Sequence, residues 1–359
     1  MQASRPTIAD VARAAGVSKG LVSFALNDRP GVSPESRARI LAVADELGWS
    51  PSVMARSLSS DVSFSIGLVI ARDPEIIADD SFFPSFISGV EQVLAPRGQS
   101  LVLSVVGDER LEEETYRRLA AERRVDGVIL TDLRADDSRV SLLQSIGLRA
   151  ISLGRTDVDA SAITAVTLDD APAIRDAVLH LVGLGHTRIA HVAGPARLLH
   201  AARRQASFLN AIASSNLAAP MVVETDFSAA DGARATAELL DRAERPTAIV
   251  YANDAMAIAG LGVARRAGLD VPGDLSIVGF DDSAIGRYIE PALTTVATDA
   301  RGWGFTAADA LLRLVGGDEV GDIELAPAEL VIRASTATAP TEQSTDRGGS
   351  AAARDRRQR

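Results

Sequence analysis

The period of apolar and polar positions changes sharply along this chain. Near the start, Ile8, Val11, Ala12 and Ala15 recur at helical spacing, behind a Thr7/Asp10 pair placed as in a capping box. Gly16 supplies a turn, Val17 a buried plug and Ser18 an N-cap for a second helix, whose Val22 and Leu26 face back toward the first. Lys19, Gly20, Ser23 and Phe24 are left on outward or flanking positions. A third helix opens at Ser33-Pro34-Glu35, where the missing N–H of proline is harmless. It carries Ile40, Leu41, Ala44 and Leu47 as its apolar face and ends at Gly48. Three such helices close a small core, and two short helices joined by a Gly turn have the shape that lays one of them into a DNA major groove.

From Phe64 the pattern becomes one of short apolar runs, at 65–70, 101–106, 127–130, 150–153, 188–192, 248–251 and 276–280. Amphipathic stretches at 86–95, 173–184, 229–242 and 255–267 separate them. Buried strand alternating with helix predicts a parallel, doubly wound α/β sheet. The stretch is too long for one such sheet, so two lobes are expected, with a ligand cleft at the carboxyl ends of the strands. Polar residues gather there as Asp169-Asp170, Asn253-Asp254 and Asp281-Asp282. Such residues can contact a polyhydroxylated ligand, although an Asp at a strand end often serves only as a helix N-cap.

Composition sharpens the division. The 359 residues are 47% hydrophobic and carry a net charge of −11. Through Ser60 the seven basic residues outnumber the acidic ones, so the head is mildly positive and the body acidic. An acidic body discourages non-specific DNA contact and leaves phosphate binding to the head. There is no cysteine, hence neither a disulfide framework nor a thiolate site. With no long uncharged apolar run and no secretory leader, the cytoplasm is the expected compartment.

After Trp49 comes Ser50-Pro51-Ser52-Val53-Met54-Ala55-Arg56-Ser57-Leu58, a helix too short to stand without a partner. Taken with Thr7-Ile8-Ala9-Asp10-Val11-Ala12 through Ala15-Gly16-Val17-Ser18, and with Val22-Ser23 and Leu26-Asn27, this segment makes the chain resemble the LacI family of transcriptional regulators from about Thr7 to Ser335. The resemblance implies an all-α helix-turn-helix head (1–49), a hinge helix (50–61) and a two-lobed body of periplasmic-binding-protein type (62–338). Lobe 1 is expected at about 62–163 and 294–324 and lobe 2 at 164–293 and 325–338, with crossings near Ile163 and Leu293. The remaining 339–359 read as a disordered basic tail.

The same resemblance places Lys19, Gly20 and Phe24 at base-reading positions and Thr7, Ser18, Ser23, Asn27, Ser36 and Arg37 on phosphates. Ala55 and Leu58 fall on the hinge helix, where a leucine from each chain of a dimer wedges into the minor groove and kinks the duplex. Phe24 departs from the arginine common at its position and cannot make a bidentate contact to guanine. In the body, Arg204, Phe227, Phe82 and Phe83 take effector-contact positions beside Asp169, Asn253 and Asp281.

The expected protein is a ligand-responsive repressor that binds a near-palindromic double-stranded DNA operator as a homodimer, since the tail lacks the apolar heptads that would bundle four chains. Its effector is expected to be a carbohydrate, with no cofactor, no metal and no membrane. Control by a nucleoside or purine, or by a protein co-regulator, is the alternative. An α/β enzyme using the cleft carboxylates is the reading from another class. Against it, the chain has no Gly-x-Ser-x-Gly elbow, no phosphate loop and no His-Glu-x-x-His, and His180, His186 and His191 suit packing or capping better than a metal.

Overall fold

The computed structural model describes residues 6–26, 29–49, 62–157, 163–217 and 219–341. The chain forms two compact units that divide between Phe64 and Ser65.

The first unit is three helices: α1 (Ile8–Ala15), α2 (Lys19–Leu26) and α3 (Pro34–Glu46). Asp10 accepts from both the Thr7 amide (2.9 Å) and the Thr7 hydroxyl (2.7 Å), so Thr7 and Asp10 cap α1 through the carboxylate. Gly16 ends α1 at φ 66°, and the Val17 amide reaches back to the Ala12 carbonyl at 2.9 Å. The core is Val11, Ala12, Ala15, Val22, Ala25, Ile40 and Ala44. Leu41 and Leu47, expected on the buried face of α3, are exposed. Ile40, Val43 and Ala44 form that face instead, because a helix packed on two short neighbours buries a narrower stripe than its apolar positions allow.

In the second unit helices α4 (Pro74–Asp79), α5 (Phe82–Leu94), α6 (Glu109–Ala121), α7 (Ser138–Ser145), α8 (Ala171–Gly183), α9 (Leu199–Ser214), α10 (Ala229–Leu240), α11 (Asp254–Arg266) and α12 (Ala300–Val315) pack on two six-stranded sheets. In the first the order is β11-β5-β4-β3-β1-β2, with β1 (Ser65–Ala71), β2 (Ser100–Val106), β3 (Gly127–Leu130), β4 (Arg149–Leu153), β5 (Thr164–Thr167) and β11 (Ile323–Glu324). In the second the order is β12-β10-β9-β8-β6-β7, with β6 (Ile189–Ala193), β7 (Met221–Glu224), β8 (Ala248–Tyr251), β9 (Ser276–Phe280), β10 (Thr294–Ala297) and β12 (Glu329–Val331). Every pairing is parallel except β10 with β12, which is antiparallel.

Strand pairing moves the lobe crossings from where the sequence reading put them. Thr164 pairs with Ile151 and so stays in lobe 1, while Thr294 pairs with Val278 and so stays in lobe 2. Ala165, Val166, Thr294 and Thr295 are buried within their sheets, which a connecting segment would not be. The crossings therefore follow β5 and β10, a few residues later than Ile163 and Leu293. The start of the tail also shifts, since the Ala339 amide is tied to the Leu184 carbonyl at 2.9 Å. Residues 342–359 lie outside the described residues.

In lobe 1 the helices α5 (Phe82–Leu94) and α12 (Ala300–Val315) cross so closely that glycine is required on both. A Cβ on Gly89 would stand 1.9 Å from the Arg301 carbonyl oxygen, and one on Gly304 2.0 Å from that of Phe86. This crossing covers one face of the first sheet, over Ile66, Leu68, Ile129 and Ile151. On the other face Arg139 is buried between Asp137 (2.6 Å) and Glu112 (2.5 Å). His186 is likewise structural, bonded to Thr247, Ser276 and the Ala337 carbonyl. His191 meets the Val250 carbonyl at 2.9 Å and His180 meets Thr336 at 3.0 Å.

Candidate functional site

Two surfaces carry the expected residues. On the head, Lys19, Gly20 and Phe24 are exposed on α2 while Val22 and Ala25 turn into the core. Phe24 is 42% exposed. The guanidinium of Arg29 lies 5.9 Å from the Phe24 ring centre. Among the expected phosphate contacts, the Ser18 oxygen accepts from the Leu21 amide (3.1 Å), which caps α2. Ser36 donates its amide to Ser33 (3.2 Å), and Arg37 donates to the Arg29 carbonyl (3.0 Å). Ser23 is half-buried on α2 and Thr7 is exposed but bonded to Asp10. Asn27, Ala55 and Leu58 lie outside the described residues.

In the body a cleft opens between the two sheets, at the carboxyl ends of their strands. Arg72 follows β1, Asp132 follows β3, Asp170 follows β5, Asn253 follows β8 and Asp281 follows β9, and all of them line it. Of the seven expected effector contacts, Phe82, Phe83, Arg204, Phe227, Asn253 and Asp281 line this cleft. Asp169 does not. Its carboxylate accepts from the Ala171 amide (3.1 Å), and it faces a separate groove with Pro172 and Arg175. The neighbouring Asp170 takes the place in the cleft, where its carboxylate accepts from Arg204.

Each lobe contributes an arginine that is already paired. From lobe 1, Arg72 makes two bonds of 2.7 Å to Asp132 and one of 3.1 Å to Asp80. Burial opposes its charge, yet Asp132 and Asp80 outweigh burial and raise its affinity for the proton. Burial also works against ionised Asp132, but the guanidinium wins and holds that carboxyl well below the usual range. From lobe 2, Arg204 donates to Asp170 (2.6 Å) and to the Ala252 carbonyl (3.2 Å).

Asp281 is different. Among the described residues no side chain bonds to its carboxylate, and burial pushes its affinity for the proton well above the ordinary value, with Arg204 offsetting only part. Its φ of 104° is a strained conformation for a residue with a side chain. The structure thus holds a partnerless acceptor, at a backbone cost, between two neutralised arginines.

Asn253 is committed to structure as well as to the cleft. Its carbonyl oxygen accepts from the Met256 amide (2.8 Å) to cap α11 (Asp254–Arg266), and its amide donates to the Phe227 carbonyl (2.8 Å). His200, at the start of α9 (Leu199–Ser214), stacks on Phe227 at 5.6 Å and 8°. Burial, then Arg204, push its pKa down to about 3, so it is a neutral ring at physiological pH.

Matches to known proteins cover both the head and the body. Residues 7–52 match the model for bacterial regulatory proteins of the lacI family, and residues 178–336 that for a periplasmic binding protein-like domain. The HTH-type transcriptional regulator reg1 of Streptomyces lividans is 34% identical over 348 residues, 94% of this chain and 98% of that protein. The chain belongs to the LacI family. This LacI-family chain is therefore a DNA-binding transcriptional regulator. Its fold is similar to that of the regulator CelR in complex with cellobiose (TM-score 0.71, 30% identity, 92% of this chain and 100% of that one). It is also similar to the lac repressor dimer bound to operator and the anti-inducer ONPF (TM-score 0.81, 29% identity, 93% and 100%).

Sequence reasoning missed Arg72, Asp80, Asp132, His200 and Trp303 as lining residues. Each is brought to the cleft by the packing of the lobes, and Asp80 stands directly before Ser81-Phe82-Phe83. A position just beyond a predicted strand, shared by Arg72 and Asp132, offered a further signal.

Proposed function

We propose that this regulator is a repressor whose effector is an uncharged sugar bound between the lobes, with Lys19, Gly20 and Phe24 of each chain of a dimer reading an operator half-site. The observation that carries the ligand class is Asp281, a carboxylate with no cation of its own. Hydroxyl groups both donate and accept, so they meet this carboxyl whether or not it holds its proton. Arg72 and Arg204 are spent on Asp132, Asp80 and Asp170, so neither is available to neutralise a phosphate or an acid sugar. The sugar in the CelR complex supports the same class.

In this reading Arg204, Asp281, Phe82 and Phe83 contact the ligand and Asn253 shapes the wall. The hinge residues Ala55 and Leu58 couple lobe geometry to DNA, the effector acting by its different affinity for two states of the lobes. The chain acts in the cytoplasm, where operator DNA is, and returns its ligand unchanged rather than acting as an enzyme. Thermal-shift measurements with cellobiose, maltose and glucose against glucose 6-phosphate, gluconate, adenosine and hypoxanthine test the class. Stabilisation by a neutral sugar alone is expected; stabilisation by a phosphate, an acid sugar or a purine alone would overturn it.

A further inference from the structure

Phe227 is expected from the sequence to offer a flat face to the ligand, but protein groups already lie against the ring. His200 stacks on the ring, and the guanidinium carbon of Arg72 stands 5.0 Å from its centre. Arg72 also lies 5.2 Å from the ring of Phe83. Phe83, Arg72, Asp132 and Asp80 all belong to lobe 1, whereas Phe227 and His200 belong to lobe 2. A row of planar groups, Phe83–Arg72–Phe227–His200, therefore runs from one lobe to the other inside the cleft.

We propose that Arg72 is a strut between the lobes: lobe 1 fixes its guanidinium, and cation–π contact with Phe227 holds lobe 2 against it. The division of labour follows from chemistry. Two bonds to Asp132 and one to Asp80 fix the plane and position of the guanidinium within lobe 1. Its remaining surface is then preorganised to meet a ring, and Phe227 is the ring that lobe 2 supplies. The contact is out of bulk water, where such pairs are strongest. A ligand that stacks on Phe227 must first displace Arg72, so Arg72 couples occupancy of the cleft to the separation of the lobes.

Phe227 is held ready for this by its own backbone. It has φ 76°, and its carbonyl is tied to Asn253. A Cβ on Gly194 would come within 2.1 Å of its ring, so that glycine makes room for it. The strut is separate from a second polar link between the lobes, the 2.8 Å bond from the Leu199 amide to the Leu133 carbonyl, beside the bridge between Arg134 and Leu198. Leu199 is the first residue of α9, and its amide has no partner within the helix. It is protected from exchange only while the lobes stay together, which makes it a natural reporter of closure.

The test is hydrogen–deuterium exchange of the full-length protein alone, resolved at Leu199, for the wild type, Phe227→Leu, Arg72→Gln and the double variant. Glutamine keeps a donor for Asp132 but sets no cation on the ring. Exchange at Leu199 is expected to quicken about tenfold in each single variant, the factor that 1.4 kcal/mol produces. The double variant should be no faster than the faster single one, and amides inside β3 and β8 should be unchanged. Wild-type exchange at Leu199 in both single variants would overturn the strut, as would additive effects in the double. If Phe227→Leu also loosens β8, the decision passes to Arg72→Gln, and wild-type exchange there overturns it. No sugar or DNA enters the measurement, so its outcome is distinguishable from failure of the proposed ligand class.

Discussion

Arg204 lies with its guanidinium carbon 3.5 Å from the ring centre of Phe280, the residue that immediately precedes Asp281. The ring supports the cation from one side while Asp170 and the Ala252 carbonyl hold two of its edges. The partnerless carboxylate and the fixed guanidinium are thus set by one strand end. Replacing Arg204 by alanine should weaken binding of whichever sugar stabilises the wild type by roughly tenfold or more, as expected for loss of a hydrogen bond from a charged donor. Isothermal titration checks this; wild-type affinity in the variant would remove Arg204 from the site.

Arg139 should matter to stability rather than to ligand binding. Its side chain is 1% exposed, as are those of its partners Asp137 and Glu112. Substitution by methionine leaves buried carboxylates without this cation, a change that typically costs about 3–5 kcal/mol. Urea unfolding should show the loss, and a variant as stable as the wild type would mean that the cluster rearranges freely.

The crossing of α5 and α12 predicts a backbone clash rather than a lost contact. Gly89→Ala and Gly304→Ala each push a methyl into a carbonyl that cannot swing aside, and each should lose about 1–3 kcal/mol or more. Thermal unfolding of the two single variants is the check. Gly147, with φ 68° and nothing within 4 Å of an added Cβ, serves as a control for the effect of backbone conformation without a clash.

The buried histidines should lose stability on mild acidification, while Asp281, whose proton affinity burial raises, contributes in the opposite direction. Burial lowers the pKa of His191 to about 4 and that of His200 to about 3, against 6.5 for the exposed group. At these two rings the folded state therefore binds fewer protons than the unfolded chain below about pH 6.5. The stability these neutral rings contribute is complete above that pH and is lost as pH falls toward 4 and 3. The slope is at most about 1.4 kcal/mol per pH unit for each histidine. Between pH 7.5 and 5 the urea midpoint should fall less in His191→Gln than in the wild type; an unchanged slope in that variant would assign the effect elsewhere.

Much of this architecture was legible in the sequence because it is written locally. The Gly16 turn, the Ser18 and Ser33 caps and the short apolar strands each need only neighbours a few residues away. Asp169 was misplaced by a single residue, since strand-end register decides which of two aspartates enters the cleft and no local signal distinguishes them. Leu41 and Leu47 were assigned to a core that the two short helices cannot extend to cover. Arg72, Asp132 and Phe227 are brought together from three loops on two lobes, and no spacing along the chain records that meeting.

In the proposed function this chain recognises a specific DNA sequence, and a sugar changes that recognition. Selection from a random duplex library by the full-length protein at physiological salt, repeated with the sugar that gives the largest thermal shift, tests it most directly. A near-palindromic site whose retention changes with the sugar is predicted, together with a uniform loss of affinity and a shallower salt dependence, or relaxed sequence choice, when Lys19 is replaced by alanine. Enrichment of no sequence, with or without the sugar, would rule out a sequence-specific regulator controlled by a sugar.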